Sequence, residues 1–193
     1  MYTTSYKKLD SHLKAGRTYR REMLLPFSTA IDRDLIKLTK QGILEKVGGG
    51  LYYKPATSRF GNLPPRDEDL IKRFLRDDAF LLYSWNQYNS LGLGLTQLYN
   101  QLVVHNYKRH GLFQLAGKTF DFRRPARGFP KKITAEFLLV DLVNNLNDLA
   151  ENTQAIKIKI KEKVAKFNHK KLAYYVKNYG KVATQHFFEE TSH

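Results

Sequence analysis

The amino-acid sequence predicts an α+β fold with two domains: a small N-terminal domain of helices and a short hairpin, and a larger mixed α/β domain. Two observations support this. Gly61, Pro64 and Pro65 interrupt any regular element soon after Pro55. Apolar residues repeat at helical spacing in several segments, whereas shorter β-prone runs lie beside glycines. We therefore expect one domain over residues 1–55, a linker over 56–65 and a second domain over 66–193.

In the N-terminal domain, glycines and a proline mark where each element ends. Gly16 and Gly42 follow helical patterns, Pro26 stops a brief helix, and Ser28 is a plausible N-cap. Glycines 48–50 separate two β-prone runs, which predicts a hairpin. The expected order is a helix over 5–15, an extended piece over 17–19, a brief helix over 20–25, a long helix over 28–41, and strands over 43–47 and 51–54.

In the C-terminal domain, Asp67 can cap a helix, and three short strands lie near Gly111 and Gly117. Lysines alternate with isoleucines over residues 156–163, which is strand-like spacing, but the flanking residues favour a helix and we expect one there. The predicted elements are helices over 67–75 and 77–91, a small antiparallel sheet of strands over 102–107, 111–116 and 119–124, and C-terminal helices over 133–152, 154–167 and 169–188.

The formal net charge of +15 points to a polyanionic partner, although a lysine-rich composition of the whole organism would also produce it. The charge is concentrated in three blocks: +6 over residues 1–55, +7 over 105–132 and +8 over 154–182. The chain has no cysteine, which excludes disulfides, thiolate metal sites and cysteine nucleophiles. Without a signal segment or a long apolar run, we expect a cytoplasmic protein that does not enter a membrane.

The long helix of the N-terminal domain has two chemically different faces. At about 100° per residue, Ile31, Leu35 and Leu38 lie on one side. The opposite side carries Thr29, Arg33, Lys37 and Lys40. An ordinary surface helix with a solvated basic face would show the same pattern. A helix that enters the major groove of DNA also needs it, because it must be anchored from behind and must present donors forward.

The preceding short helix and the following hairpin favour the second interpretation, and they predict a winged helix-turn-helix. Arg33 is the best candidate for a base contact, because its planar fork can bond a guanine edge twice. Lysines of the helix and of the hairpin are placed for phosphates. The expected DNA-binding residues are Arg20, Arg21, Ser28, Thr29, Arg33, Lys37, Lys40, Lys46 and Lys54.

The run from Gly16 to Tyr19, the helix over 28–41 and the segment from Gly42 to Tyr52 resemble the N-terminal winged helix of AbiE-type antitoxins. These are the transcriptional regulators of type IV toxin–antitoxin systems. The C-terminal part is similar in outline, with a helical stretch ending near Leu91, a small strand set that includes residues 117–123, and a lysine- and tyrosine-rich helical end.

The resemblance implies a phage-defence autorepressor that binds inverted repeats in the double-stranded DNA of its own promoter. It also implies an antitoxin that opposes a nucleotidyltransferase-like toxin, commonly without a stable complex. A different class remains open: a non-catalytic interaction protein whose basic C-terminal half holds a partner protein or RNA.

Two basic segments of the C-terminal domain contain aromatic residues as well. Over 105–132 the aromatic rings either form a stacking platform for single-stranded nucleic acid or point inward as sheet core. Over 154–182 the lysines touch DNA phosphates, meet an acidic partner or are simply solvated. The expected basic surface comprises Lys108, Arg109, Arg123, Arg124, Arg127, Lys131, Lys132, Lys170, Lys171, Lys177 and Lys181.

No pattern in the sequence indicates an enzyme. None of the six histidines has zinc-ligand spacing with another, and the carboxylates are too scattered for a metal-dependent nuclease. A nucleophile elbow and a P-loop are both missing from the sequence. We expect no catalytic residue, no metal and no cofactor.

Overall fold

The computed structural model describes residues 5–191, which divide into two compact units. Residues up to 78 and residues 113–119 form the first unit. Residues 79–112 and residues from 120 onward form the second. The first unit therefore extends beyond residue 55 and includes a short piece from the middle of the chain. The α+β class predicted from the sequence is confirmed.

The first unit begins with three helices and three strands. In chain order these are α1 (Ser5–His12), β1 (Arg17–Arg20), α2 (Arg21–Leu24), a 3-10 turn (Leu25–Phe27), α3 (Ile31–Lys40), β2 (Glu45–Gly48) and β3 (Leu51–Lys54). The strands form an antiparallel sheet in the order β1-β3-β2. The core between the helices consists of Ile31 and six buried leucines: Leu9, Leu13, Leu24, Leu35, Leu38 and Leu44.

Helix α3 is shorter than the predicted span of 28–41, because its first helical residue is Ile31 and not Ser28. Ser28 has extended backbone angles and ends the 3-10 turn after Pro26, so it lies too far upstream to be the N-cap. Its hydroxyl still satisfies polar groups at this end, accepting from the Ala30 N–H at 3.0 Å and donating to Asp34 at 2.7 Å. Gly42, with φ of +71°, follows the end of the helix as expected.

Residues 56–65, where we expected a linker, contain a two-stranded hairpin. Its strands are β4 (Ala56–Ser58) and β5 (Gly61–Leu63), which pair antiparallel. Helix α4 (Asp67–Leu75) follows and agrees with the predicted span. Its apolar residues Leu70, Ile71, Phe74 and Leu75 are buried, while Arg66 and not Asp67 occupies the N-cap position.

The second unit opens with a strand where the sequence predicted a helix over 77–91. The segment instead contains β6 (Phe80–Tyr83) and a 3-10 helix (Trp85–Leu91). Strands β7 (Leu102–Asn106), β8 (Gly111–Leu115) and β9 (Lys118–Arg123) agree with the three predicted strands, and the sheet order is β6-β7-β9-β8. This sheet is mixed and not purely antiparallel, since β6 pairs antiparallel with β7 but β7 pairs parallel with β9.

The C-terminal region is helical, as predicted, but is divided into shorter pieces. Helix α5 (Ala135–Asn145) is capped by the Thr134 hydroxyl and continues as a 3-10 turn (Leu146–Asp148). The expected helix over the alternating lysines is α6 (Thr153–Lys163). The predicted helix over 169–188 is two helices, α7 (His169–Tyr179) and α8 (Val182–Thr191), because Gly180 adopts extended angles between them.

The core of the second unit lies between the sheet and α5. It combines Val103, Tyr83 and Trp85 with the buried face of α5 and with residues of the later helices, including Ile156, Leu172 and Phe188. Over residues 5–191, no helix is both long and apolar enough to cross a bilayer.

Candidate nucleic-acid interface

Helix α3 presents three cations to solvent from a firmly anchored position. Arg33, Lys37 and Lys40 are exposed, whereas Leu35 and Leu38, on the opposite side of the helix, are fully buried. Among residues 7–191, the side chains of Arg33 and Lys40 form no ion pair or hydrogen bond, so their donors remain available to an external ligand. The first unit therefore holds an anchored helix with an exposed basic face, on which Arg33 and Lys40 have no partner among residues 7–191.

The hairpin of β2 and β3 adds one exposed cation and one that is engaged within the protein. Lys46 on β2 is exposed, and the described residues offer its side chain no partner. The Lys54 amino group lies 2.7 Å from an Asp10 carboxylate oxygen, an ion pair that links β3 to α1. Thr29, between the 3-10 turn and α3, is exposed beside the helix start.

Arg20 is engaged within the first unit by hydrogen bonds to α4 and to Glu22. Its Nη1 donates to the backbone carbonyls of Arg73 at 2.9 Å and Phe74 at 3.3 Å, near the C-terminal end of α4. Its Nε donates to Glu22 at 3.2 Å. Only 13% of the Arg20 side chain is exposed. The guanidinium thus satisfies carbonyls at the end of α4, where helices leave acceptors without partners.

Arg21 and Asp32 form a two-point ion pair at the start of α3. Arg21 Nε and Nη2 donate to the two carboxylate oxygens of Asp32 at 2.6 and 2.7 Å. This hydrogen bonding lowers the pKa of Asp32 below its usual value, so the carboxylate is ionised at neutral pH. The pair neutralises a negative charge that would otherwise stand next to Arg33.

The basic residues predicted for the C-terminal part are all in the second unit, but they differ in their roles. Arg123 is half-buried: it contacts the carboxylates of Asp121 and Asp148 at 2.7 and 3.1 Å and lies over the Trp85 ring. Lys181 donates to the Asn144 carbonyl at 2.7 Å. The remaining members are exposed: Lys108, Arg109, Arg124, Arg127, Lys131, Lys132, Lys170, Lys171 and Lys177.

A buried polar network in the second unit was missed by the sequence analysis. One carboxylate oxygen of Asp141, on α5, accepts the hydroxyl hydrogens of Tyr83 at 2.5 Å and Tyr88 at 2.6 Å. Burial raises the pKa of both tyrosines, and the negative charge of Asp141 adds to the increase. Both hydroxyls therefore remain protonated donors, and they connect α5 to β6 and to the following 3-10 helix.

His105 completes this network from β7. Its Nε2 lies 3.2 Å from the Tyr83 oxygen. Since Tyr83 gives its own proton to Asp141, Nε2 must be the donor, and Nδ1 carries the lone pair. Nδ1 is buried and meets no hydrogen-bonding atom among the described residues. Burial lowers the pKa of His105, so the ring is neutral at physiological pH.

Two signals in the sequence indicate features that only the structure makes evident. Asp141 is the only charged residue in the otherwise apolar run 137–143, which indicates a buried carboxylate with partners. Tyr174 has lysines four residues before and three residues after it, and this spacing places all three on one helix face.

The residues described by the structure contain no group of three His, Asp or Glu side chains that could hold a metal ion. Searches of protein-family models, of curated proteins and of solved structures found no match to this chain.

Proposed function

We propose that residues 5–54 form a winged helix-turn-helix and that the protein is a DNA-binding transcriptional repressor. One observation carries the proposal: α3 has an exposed basic face, and its opposite face is fixed in a leucine core. The element order and the sheet order β1-β3-β2 support it, because a hairpin directly after the helix can serve as the wing. In this arrangement α3 enters the major groove, Arg33 contacts a base edge, and Lys37, Lys40 and Lys46 contact phosphates.

The residues predicted from the sequence to bind DNA fall into two groups: those whose side chains are available to DNA and those that contact other parts of the first unit. Arg33, Lys40 and Lys46 have no partner among residues 7–191, and Thr29 is exposed beside them. We therefore assign these residues to the DNA contact, together with Lys37, which is exposed on the same face of α3. Arg20, Arg21, Ser28 and Lys54 instead support the helix and the hairpin through their contacts within the first unit. Their replacement would weaken DNA binding by disturbing α3 and the sheet.

We expect Arg33→Ala to lower the affinity for the DNA upstream of the protein's own gene by about 1–3 kcal/mol, the cost of one bidentate base contact. Affinity for a scrambled duplex should fall much less, because phosphates supply that binding. Fluorescence anisotropy with both duplexes at two salt concentrations measures the difference. Arg66→Ala is the matched control, since it removes the same charge from an exposed site at the start of α4.

Equal affinity of the unmodified protein for the upstream and scrambled duplexes would overturn sequence-specific repression. If Arg33→Ala lowered the affinity for both duplexes equally, Arg33 would contact a phosphate, and its assignment to a base contact would be wrong. Salt must be varied because phosphate contacts alone give tight binding that falls steeply as salt rises.

The resemblance to AbiE-type antitoxins extends this proposal to a second activity, that of opposing a nucleotidyltransferase-like toxin. We expect co-expression of this chain with a nucleotidyltransferase-like toxin encoded beside its gene to restore growth that the toxin alone stops. Co-purification should recover little toxin, since the resemblance implies opposition without a stable complex. Growth that stays arrested while both proteins accumulate would contradict the antitoxin role and leave the repressor role untouched.

A further inference from the structure

Two basic segments that are far apart in the sequence come together in the second unit. Arg127, in the loop after β9, donates from Nη1 to the backbone carbonyl of Lys177 on α7 at 3.0 Å. The loop belongs to the segment 105–132, with net charge +7, and α7 belongs to the segment 154–182, with net charge +8. Apart from residues 113–119, both cationic segments belong to the second unit, and only Asp121 and Glu162 are acidic within them.

Aromatic rings lie at this junction, and two of them are more than half exposed. Tyr107 is 56% exposed and stacks on Phe129, with ring centroids 4.8 Å apart. Tyr174 is also 56% exposed and meets Tyr175 and Tyr179 edge to face, at 5.5 and 6.4 Å. We call Tyr107, Phe129, Tyr174, Tyr175 and Tyr179 the tyrosine surface.

The rings of this surface form a neighbouring set. Phe129, Tyr175 and Tyr179 pack against the core of the second unit. They also contact the two exposed rings, Phe129 that of Tyr107 and the other two that of Tyr174. The ring centroids of Tyr174 and Tyr179 lie 6.4 Å apart. The Tyr107 hydroxyl lies against Gly128, and the adjacent Arg127 contacts the Lys177 carbonyl, so the loop after β9 brings Tyr107 close to α7 although Tyr107 and Tyr174 are 67 positions apart in the sequence.

Lysines flank the exposed ring on α7. At about 100° per residue, Lys170, Tyr174 and Lys177 fall within roughly 60° of one another on the helix surface. All three are exposed, and the two lysine side chains have no ion-pair partner among residues 7–191. Helix α7 contains no acidic residue at all. The helix thus offers one ring between two uncompensated positive charges.

We propose that the tyrosine surface binds single-stranded nucleic acid, with bases stacked on Tyr107 and Tyr174 and phosphates held by Lys170 and Lys177. A double helix would use the cations alone, because its bases are already stacked on one another. An acidic protein would also use mainly the cations and would leave two exposed rings without a role. Unstacked bases use both features, since every base has a flat face for an aromatic ring and a phosphate for a lysine.

Fluorescence anisotropy of the full chain with labelled single-stranded RNA, single-stranded DNA and duplex DNA of equal length tests this proposal. We expect Tyr107→Ala and Tyr174→Ala each to weaken single-strand binding about tenfold, through the loss of one stacked base. Duplex affinity should not change. Phenylalanine at either position should restore binding, because it keeps the ring. A higher affinity for RNA than for DNA would identify the 2′-hydroxyl as an additional contact.

Controls separate this site from general charge attraction and from the proposed repressor function. Phe60→Ala removes another highly exposed ring, from the β4–β5 hairpin, and should leave single-strand binding unchanged. Arg33→Ala should also leave it unchanged, so failure of the repressor proposal would appear only with duplex DNA. Single-strand affinity that survives both tyrosine-to-alanine changes would overturn the proposal. Displacement of the strand by polyglutamate with no effect of those changes would overturn it in favour of an acidic protein partner.

Discussion

Asp141→Ala is expected to lower the free energy of unfolding of the second unit by about 3–5 kcal/mol. The change removes the acceptor of two buried tyrosine hydroxyls, and each hydrogen bond to a charged acceptor is worth about 1.5–3 kcal/mol. The hydroxyls of Tyr83 and Tyr88 would then be left without a partner in the core. The chain's single tryptophan, Trp85, is buried in this unit, so its fluorescence during urea unfolding reports the loss directly.

Asp148→Ala is the control for this measurement. Its carboxylate is about half exposed and contacts Arg123 at 3.1 Å, so its removal should cost about 1 kcal/mol or less. Equal effects of the two alanine changes would show that Asp141 does not organise the core. The Asp141→Asn change keeps an acceptor oxygen in place and should fall between these values.

Leu35→Ala is expected to destabilise the first unit by about 2–5 kcal/mol, because it leaves a cavity in a core where Leu35 is fully buried. Hydrogen–deuterium exchange of the α3 amides should become faster, and affinity for upstream DNA should fall together with stability. The adjacent Ile36 is 57% exposed, so Ile36→Ala should change exchange very little. Trp85 lies in the second unit, so its fluorescence reports whether that unit stays folded in the variant.

Exchange rates that are the same in Leu35→Ala and Ile36→Ala would contradict the anchored position of α3. If instead Leu35→Ala accelerated exchange but preserved DNA affinity, α3 would not be the helix that binds DNA. The two variants thus test the packing of α3 on the leucine core without changing its exposed cations.

Elements with clear periodicity and clear end signals could be predicted from the sequence. Helix α4 and the strands β7, β8 and β9 agree with expectation because local spacing and turn residues define them. Strand β6 was predicted as part of a helix because a short apolar run such as Phe80 to Tyr83 does not distinguish a strand from a buried helix. Residues 80–83 form a strand because they pair with β7, which lies about twenty residues later in the sequence.

The exposed face of α3 could also be derived locally, whereas the roles of individual arginines could not. Arg20 donates to carbonyls at positions 73 and 74, and Arg127 donates to a carbonyl at position 177. Contacts over fifty residues leave no mark in local spacing. For the same reason the Tyr83–Asp141 pair, 58 positions apart, was not found from the sequence.

The short piece 113–119 has a consequence for the order in which the protein folds during synthesis. Within the first unit, the Ala116 N–H donates to the Val47 carbonyl at 2.7 Å, Phe113 packs edge-on against Phe74, and Lys118 pairs with Asp67. Translation of the first unit reaches residue 78 and is completed only at residue 119, which is 119 − 78 = 41 residues later. The first unit therefore stays incomplete until residues 113–119 have been synthesised, although all its other residues lie at or before position 78.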